Sequence, residues 1–560
     1  MPKNKRLYTV SNAHLDTQWN WTIQDTIRDC VKNTLVQNFA LLERYSNYRF
    51  NFEGAFRYKL AKEYYPHLYK KLKEYVKAGR WNVAGSSWDA CDANIPSSEA
   101  FMRQILLGNG YWEREFGKTS LDIFLPDCFG FRYALPSIAY HMGLKGFSTQ
   151  KLVWGVGMPI VEEDGTLSRP MPDDKKPRAD LCRWTGPDGN TILCSLDEGG
   201  YTYNFEYSGD TPINQREHHL HEIERNEKIA GVPSRSMYYG AGDYGGSPTD
   251  TAAKMVNEAV ADTEGGLFQV LSASSDDIFR DLSEEEIEKI PAYRGNLLIP
   301  HGYGAMVSHT ISKRWNRKNE LLADSAERAD SMAAWLGTEE YPKERLRDAW
   351  ETFLWHQFHD DVTGTSIGDA YTFSYNDYVI ALNTFASELT AGVDGIVRTL
   401  RTDVKGTPVA VFNPISSART DVVTAKLPAK SAYVRVFDAD GNEVPSQCRP
   451  DADGKTVTVT FAASVAPVSC TVFDVRESDA PCALQTGVSV TADTLKNERY
   501  TVKIDKNGDI CSIVDHDLGN RELLSAPIQL QLMPDTIPGE YPAWEYLYED
   551  FAKPYDTVAA

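Results

Sequence analysis

Long apolar runs are missing from this 560-residue chain, and no segment is long and apolar enough to span a membrane. Behind the basic start Met1-Pro2-Lys3-Asn4-Lys5-Arg6 the apolar stretch is only Leu7-Tyr8-Thr9-Val10, too short for the core of a signal peptide. Paired cysteines are missing as well. The 9 cysteines (Cys30, Cys91, Cys128, Cys182, Cys194, Cys448, Cys470, Cys482 and Cys511) are odd in number, scattered, and form no Cys-x-x-Cys. That pattern argues against a disulfide framework or a thiolate zinc site and suits a reducing compartment. Positive charge is short: 58 Lys and Arg against 79 Asp and Glu leave a formal net charge of −21. Nucleic acid and anionic membrane need basic patches, so neither is expected as a main partner. No internal repeat or low-complexity tract occurs. A soluble, cytoplasmic protein is expected, with homo-oligomerisation left open.

What is present is ordinary globular material, 42% hydrophobic and 24% charged. The length exceeds one core and predicts three or four domains. Up to about residue 290, short apolar runs alternate with amphipathic stretches, which implies parallel strands joined by helical crossovers. From about Ile311 to Leu400, Leu321, Leu322 and Ala326, then Leu346, Trp350, Phe353, Leu354 and Gln357, fall at helical spacing and predict two or three long packed helices. After Thr407 the chain is rich in Val and Thr, with hairpin signals at Asp440-Gly441, Asp453-Gly454 and Asn507-Gly508. The tail ends among aromatic and acidic residues (Tyr546, Tyr548, Phe551, Tyr555) with no closing strand visible, so an incomplete β region is expected. The expected domains are 1–290, a catalytic β/α domain; 291–402, helical; 403–480, a small β domain; and 481–560, the start of a larger β domain.

Chemistry-bearing residues collect just after the apolar runs. Leu7-Tyr8-Thr9-Val10 leads to His14-Leu15-Asp16, and Leu121 to Leu125 leads to Pro126-Asp127. Met237-Tyr238-Tyr239 leads to Gly240-Ala241-Gly242-Asp243. Strand carboxyl ends are where α/β sheets and barrels gather ligands. On an extended segment His14 and Asp16 point the same way and could face one ion, or Asp16 could merely orient His14. Trp19 suits a sugar face, whereas Trp21 reads as packing. Asp127 could be a nucleophile, a metal ligand or a helix N-cap. Asp122 reads as a solvated or capping residue and Cys128 as packing. Asp243, in a glycine-dense turn, could be a general acid or a solvated turn residue. His359-Asp360-Asp361 follows an apolar helix, where adjacent carboxylates oppose the helix dipole, and that local conflict suggests function. His356 is a weaker candidate.

Three motifs resemble those of glycoside hydrolase family 38, the α-mannosidases of bacterial type: His14-Leu15-Asp16-Thr17-Gln18-Trp19, Pro126-Asp127-Cys128-Phe129-Gly130 and His359-Asp360-Asp361-Val362-Thr363-Gly364-Thr365. Gly79-Arg80-Trp81 through Asp92-Ala93-Asn94-Ile95-Pro96, Gln150-Lys151-Leu152-Val153-Trp154 and Lys313-Arg314-Trp315-Asn316-Arg317 support them in the same order. The resemblance implies a multidomain α/β + α + β fold. It comprises an N-terminal seven-stranded-type parallel β/α barrel, a three-helix bundle and a C-terminal β-sandwich region, here incomplete. It implies one zinc ion on His14, Asp16, Asp127 and His359, with Co²⁺ a possible substitute. Asp127 would then be the nucleophile of a retaining reaction on an α-mannoside and Asp243 the acid/base, the two carboxyls about 5–5.5 Å apart. Trp19, Asp92, Lys151 and Asp360 would contact the sugar. With one ligand from the helical region, a second domain is expected to close the site. His301 to Ser308 departs from the family's pattern and puts contacts near Tyr303 and Ser308 in question. A metal-dependent carbohydrate deacetylase, or an inactive sugar-binding fragment, is the competing reading.

Overall fold

The computed structural model describes residues 5–155, 157–169, 176–197, 199–262, 264–299, 302–533, 541–545, 552–553 and 555–558. His301, Tyr546, Tyr548 and Phe551, and the side chain of Trp154, named in the sequence reading, lie outside what is described. Among the described residues no helix is long and apolar enough to cross a membrane. Two compact units are present. One is made of Met1–Leu321, Arg347–Asn383 and Gly539–Tyr546, the other of Leu322–Leu346, Thr384–Pro538 and Leu547–Ala560.

The first unit is built on two five-stranded sheets. Its strands are β1 (Arg6–Ala13), β2 (Phe50–Glu53), β3 (Trp81–Ala84), β4 (Asp122–Phe124), β5 (Gly146–Thr149), β6 (Leu181–Thr185), β7 (Thr191–Leu196), β8 (Ser234–Ala241), β9 (Gln269–Ser272) and β10 (Ala292–Arg294). One sheet runs β8-β1-β2-β3 with β9 also on β1; the other runs β10-β6-β7-β5-β4. β1 is buried almost end to end, as a parallel strand covered on both faces must be. It lies parallel to β8 over its whole length, from Arg6 beside Ser234 to Ala13 beside Ala241. The all-parallel expectation fails at a short pairing of Ile160–Val161 with Leu167–Ser168 and, within the second sheet, at a hairpin. β6 and β7 are antiparallel, joined through Gly186-Pro187-Asp188-Gly189-Asn190, where Gly186 and Asn190 close the hairpin and Asp188 accepts the Asn190 amide. Asp-Gly is the same turn signal that marks the tail hairpins.

Helices follow the short strands β2 and β3. Helix α1 (Ala55–Tyr64) starts straight after β2 through Gly54, at φ +78°. Helix α2 (Ser98–Phe116) is capped by Ser97, whose hydroxyl accepts the Ala100 amide, and stops at left-handed Gly117. Gly108 of α2 lies on the 86–87 backbone, so close that a Cβ would sit 2.3 Å from the Ser86 carbonyl oxygen. This contact seats the loop that carries Asp89. Asp122 corrects the sequence reading. It is fully buried at the head of β4, accepts the Ser120 hydroxyl, and is pushed up to about 7, by burial first and then by Asp276. The like-charged neighbour lies far along the chain, so no local pattern gave it away.

Three long helices follow, α3 (Thr310–Leu336), α4 (Lys343–Leu354) and α5 (Gly368–Val397), where apolar spacing predicted two or three. In the second unit two antiparallel sheets share a core of Val434, Val436, Val457, Val459, Phe461 and Phe473. Burial alternates along Thr456–Val465, as a one-sided strand requires. Asp453-Gly454 leads into that strand, and Asn507-Gly508 lies between the paired strands Tyr500–Ile504 and Ile510–Asp515. All nine cysteines are free.

Gly108→Ala should lower stability by about 1–3 kcal/mol despite alanine's better helix propensity, because the new methyl meets backbone that cannot yield. Thermal unfolding checks this; an unchanged or raised midpoint would show that the 86–87 loop gives way freely.

Candidate active site

The carboxyl ends of four parallel strands deliver the predicted residues to one place. His14 and Asp16 follow β1, Asp127 follows β4, Lys151 follows β5 and Asp243 follows β8. The turn after α4 adds His359 and Asp360, and because residues 347–383 belong to the first unit, it contributes from within that unit. A pocket of about 430 Å³ has Asp16, Trp19, Asp127, Lys151, Asp243 and Asp360 in its wall. Gln150, Tyr201, Tyr541 and Trp544 also line it.

At the floor, His14, Asp127 and His359 each offer a ligand atom within 4.8 Å of the others, as do Asp16, His359 and Asp360. His14 Nε2 lies 2.9 Å from Asp16 Oδ1, and His359 Nε2 lies 3.3 Å from the same oxygen. Outer partners set the far side of each ring. His14 Nδ1 is 2.8 Å from Glu53 Oε1, and His359 Nδ1 donates to the Ala90 carbonyl at 2.8 Å. His359 Nε2 points at the carboxylates of Asp16 and Asp127 and is buried without a well-formed hydrogen bond; with Nδ1 as its donor, the neutral ring would offer this nitrogen to an ion. Burial, helped by Asp16 and Asp127, pushes Asp360 up to about 7 against the pull of His359. An orphaned imidazole nitrogen among buried carboxylates is a donor set that fits a divalent cation, and two imidazoles with carboxylates suit zinc.

The carboxylates of Asp127 and Asp243 differ in their surroundings. Asp127 Oδ1 accepts from Lys151 Nζ at 2.7 Å, and its Oδ2 lies 3.8 Å from His359 Nε2. Lys151 also lies 5.2 Å from the ring centres of Phe129 and Trp544. Asp243 stands at φ +63°, a conformation few non-glycine residues adopt and one that clusters at functional sites. Its carbonyl accepts the Asp16 amide at 2.7 Å, and its Oδ1 accepts the Tyr201 hydroxyl at 2.9 Å. Burial, then Asp16 and Asp127, raise the Asp243 pKa; His14 and the Tyr201 hydrogen bond oppose them.

Trp19 faces the pocket and stacks on Trp544 at 6.0 Å between centroids, whereas Trp21 packs, its indole N–H on Thr26 and its ring 4.0 Å from Tyr244. Asp360 accepts the Thr365 hydroxyl. Asp92 does not line the pocket; its Oδ1 accepts the Asn94 and Ile95 amides and shapes a turn. Tyr303 and Ser308 stand outside the pocket wall too, Ser308 donating to the Ala543 carbonyl. His356 is buried between Asp361 and Asp377, a structural pairing. The sequence reading missed Glu53, Tyr201, Tyr541 and Trp544. Glu53 closes an apolar run and was open to the same logic as Asp16; Tyr201 has only the preceding Gly199-Gly200 as a signal.

Residues 4–296 match the glycosyl hydrolases family 38 N-terminal domain, and residues 303–400 match the alpha mannosidase middle domain. The chain therefore belongs to glycosyl hydrolase family 38. It is 30% identical to alpha-mannosidase G of Dictyostelium discoideum over 366 residues, 65% of this chain and 31% of that protein. Similarity to mouse alpha-mannosidase 2C1 is 26% over 557 residues, 97% of this chain and 47% of that protein. The chain thus spans less than half the length of either relative. An alpha-mannosidase structure from Enterococcus faecalis V583 shares the fold at a TM-score of 0.72 and 19% identity, covering 94% of this chain and 62% of that one.

His359→Ala should weaken uptake of a divalent ion by about 100-fold or more, since even outer partners of metal ligands are worth 10- to 100-fold. Equilibrium dialysis against Zn²⁺ with elemental analysis measures it. Equal uptake by the variant would remove His359 from the site.

Proposed function

We propose that this protein is a zinc-dependent retaining α-mannosidase that releases terminal α-linked mannose, with Asp127 as nucleophile and Asp243 as acid/base. In this reading the two sheets and three long helices correspond to the family's β/α barrel and helical middle domain. The observation that carries it is the meeting of Asp127 and Asp243, on separate strand ends, in one pocket above the His14, Asp16 and His359 cluster. Zinc on His14, Asp16, Asp127 and His359 would supply a Lewis-acid grip on adjacent sugar hydroxyls, fixing the ring.

The chain's own residues do the rest. Trp19 offers its face to the sugar, and Asp360 accepts from a ring hydroxyl. Lys151 donates to Asp127 Oδ1 and aims the carboxylate. Asp127 attacks the anomeric carbon and forms a glycosyl ester while the bond to the leaving oxygen breaks. That oxygen takes its proton from Asp243. In the second half, Asp243 takes a proton from water, the water oxygen attacks the anomeric carbon, and Asp127 is released as carboxylate. The raised pKa of Asp243 suits a group that must begin protonated near neutral pH.

Release of nitrophenol from an α-mannoside, with and without chelator, tests the reading. Zinc-loaded protein that cleaves no α-mannoside would refute it. Asp127→Asn should lower turnover on the order of 10³-fold or more. Tyr201→Phe removes a hydrogen bond that favours ionised Asp243, so the Asp243 pKa rises further and the acid form survives to higher pH. The alkaline limb of kcat/KM should therefore move upward in pH; movement downward would count against Asp243 as the acid.

A further inference from the structure

Arginine at position 57 has no obvious reason to be where it is. It lies in the first turn of α1, where a cation opposes the helix dipole, and its side chain is completely buried. Burying a guanidinium is costly, and its Nε is left with no hydrogen-bond partner. Its contacts all lead to the metal cluster. Nη1 donates to the Glu53 carbonyl at 3.1 Å and pairs with Asp89 Oδ1 at 3.1 Å. Nη2 donates to the Leu15 carbonyl, between His14 and Asp16. The guanidinium carbon lies 6.0 Å from the ring centre of Phe358, next to His359.

Asp89 extends the reach of this group in two directions. Its Oδ2 accepts the Thr17 hydroxyl at 2.7 Å, next to Asp16. Its Oδ1 accepts the Ala90 amide at 2.7 Å, and the Ala90 carbonyl accepts a hydrogen bond from His359 Nδ1. On the other side, Glu53, whose carbonyl Arg57 holds, carries the carboxylate that sets the His14 ring. Strand-end ligands and turn ligand are thus tied through one planar fork. Gly54 keeps the space open: a Cβ there would lie 2.1 Å from Arg57 Nη1.

We infer that Arg57, through Asp89, is a positioning residue that sets the distance between the His14 and Asp16 pair and His359, and thereby the metal affinity of the site. The inference rests on the metal-site reading above. A lysine at 57 keeps the charge and most of the packing but has a point donor in place of a rigid fork, so it cannot hold Leu15, Glu53 and Asp89 together.

The test is competition for Zn²⁺ between the whole protein and a fluorescent chelator, for the wild type, Arg57→Lys and Thr17→Val. Arg57→Lys should lose about 10- to 100-fold in zinc affinity and Thr17→Val a smaller factor in the same direction. Excess zinc should restore α-mannoside turnover in both. Rescue by metal is a readout that plain destabilisation does not produce, and the unfolding midpoint of chelator-treated protein gives the stability change separately. Zinc affinity within twofold of wild type, in whichever variant folds, overturns the inference. A wild-type protein that takes up no zinc overturns the metal reading and this inference together.

Discussion

Charge withheld from water is the constraint on which this molecule is organised. Asp16, Glu53, Asp89, Asp127 and Asp360, with two imidazoles, crowd a floor where exposure runs from 0% to 6%. In such surroundings an unpaired ion costs several kcal/mol, and like charges repel far more strongly than at a surface. Lys151 and Arg57 answer two of the carboxylates directly. The remaining excess of negative charge, together with an imidazole nitrogen that lacks a well-formed hydrogen bond, is what a divalent ion would relieve. The parallel strands that end together, the glycine that clears room for a guanidinium and the turn after α4 all serve to hold these groups close.

Much of this was legible in the sequence, for a reason that is itself physical. Short apolar runs mark buried strands, and a histidine or acid just beyond such a run has little choice but to stand at the sheet's end. His14, Asp16, Asp127 and Asp243 were visible that way, and His359 by its awkward place after a helix. Glu53, Arg57 and Asp89 were not read, because what defines them is each other. Arg57 and Asp89 are 32 positions apart in sequence and 3.1 Å apart in space. Asp122 was misread because an acid bordering an apolar run resembles a cap, and only the fold shows Asp276 beside it. The β6–β7 hairpin carried its own Asp-Gly signal, but the alternation of strands and helices argued more loudly for parallel pairing.

Identical side chains acquire different characters here from their surroundings alone. Asp243 is drawn toward its protonated form by burial and by the carboxylates nearby. Burial presses Asp16 the same way, yet His14 more than reverses it and holds its pKa well below the ordinary carboxylate range. Asp92, bonded to two amides of its own turn, is occupied with architecture. Three aspartates of the pocket and its surroundings thus differ in charge and in use with no change in covalent chemistry.

Tyr541 and Trp544 stand in the pocket wall against Trp19, although more than 500 residues separate them from it along the chain. During synthesis the cluster at the floor is complete once His359 has emerged, while the aromatic side of the cleft must wait for the whole β-rich region to be made. A nascent chain therefore passes through a stage with its charged floor assembled and one wall absent, open to water and to any passing metal ion. The order in which the ribosome delivers the parts sets the charged floor well before the last segment arrives to give the pocket its second side.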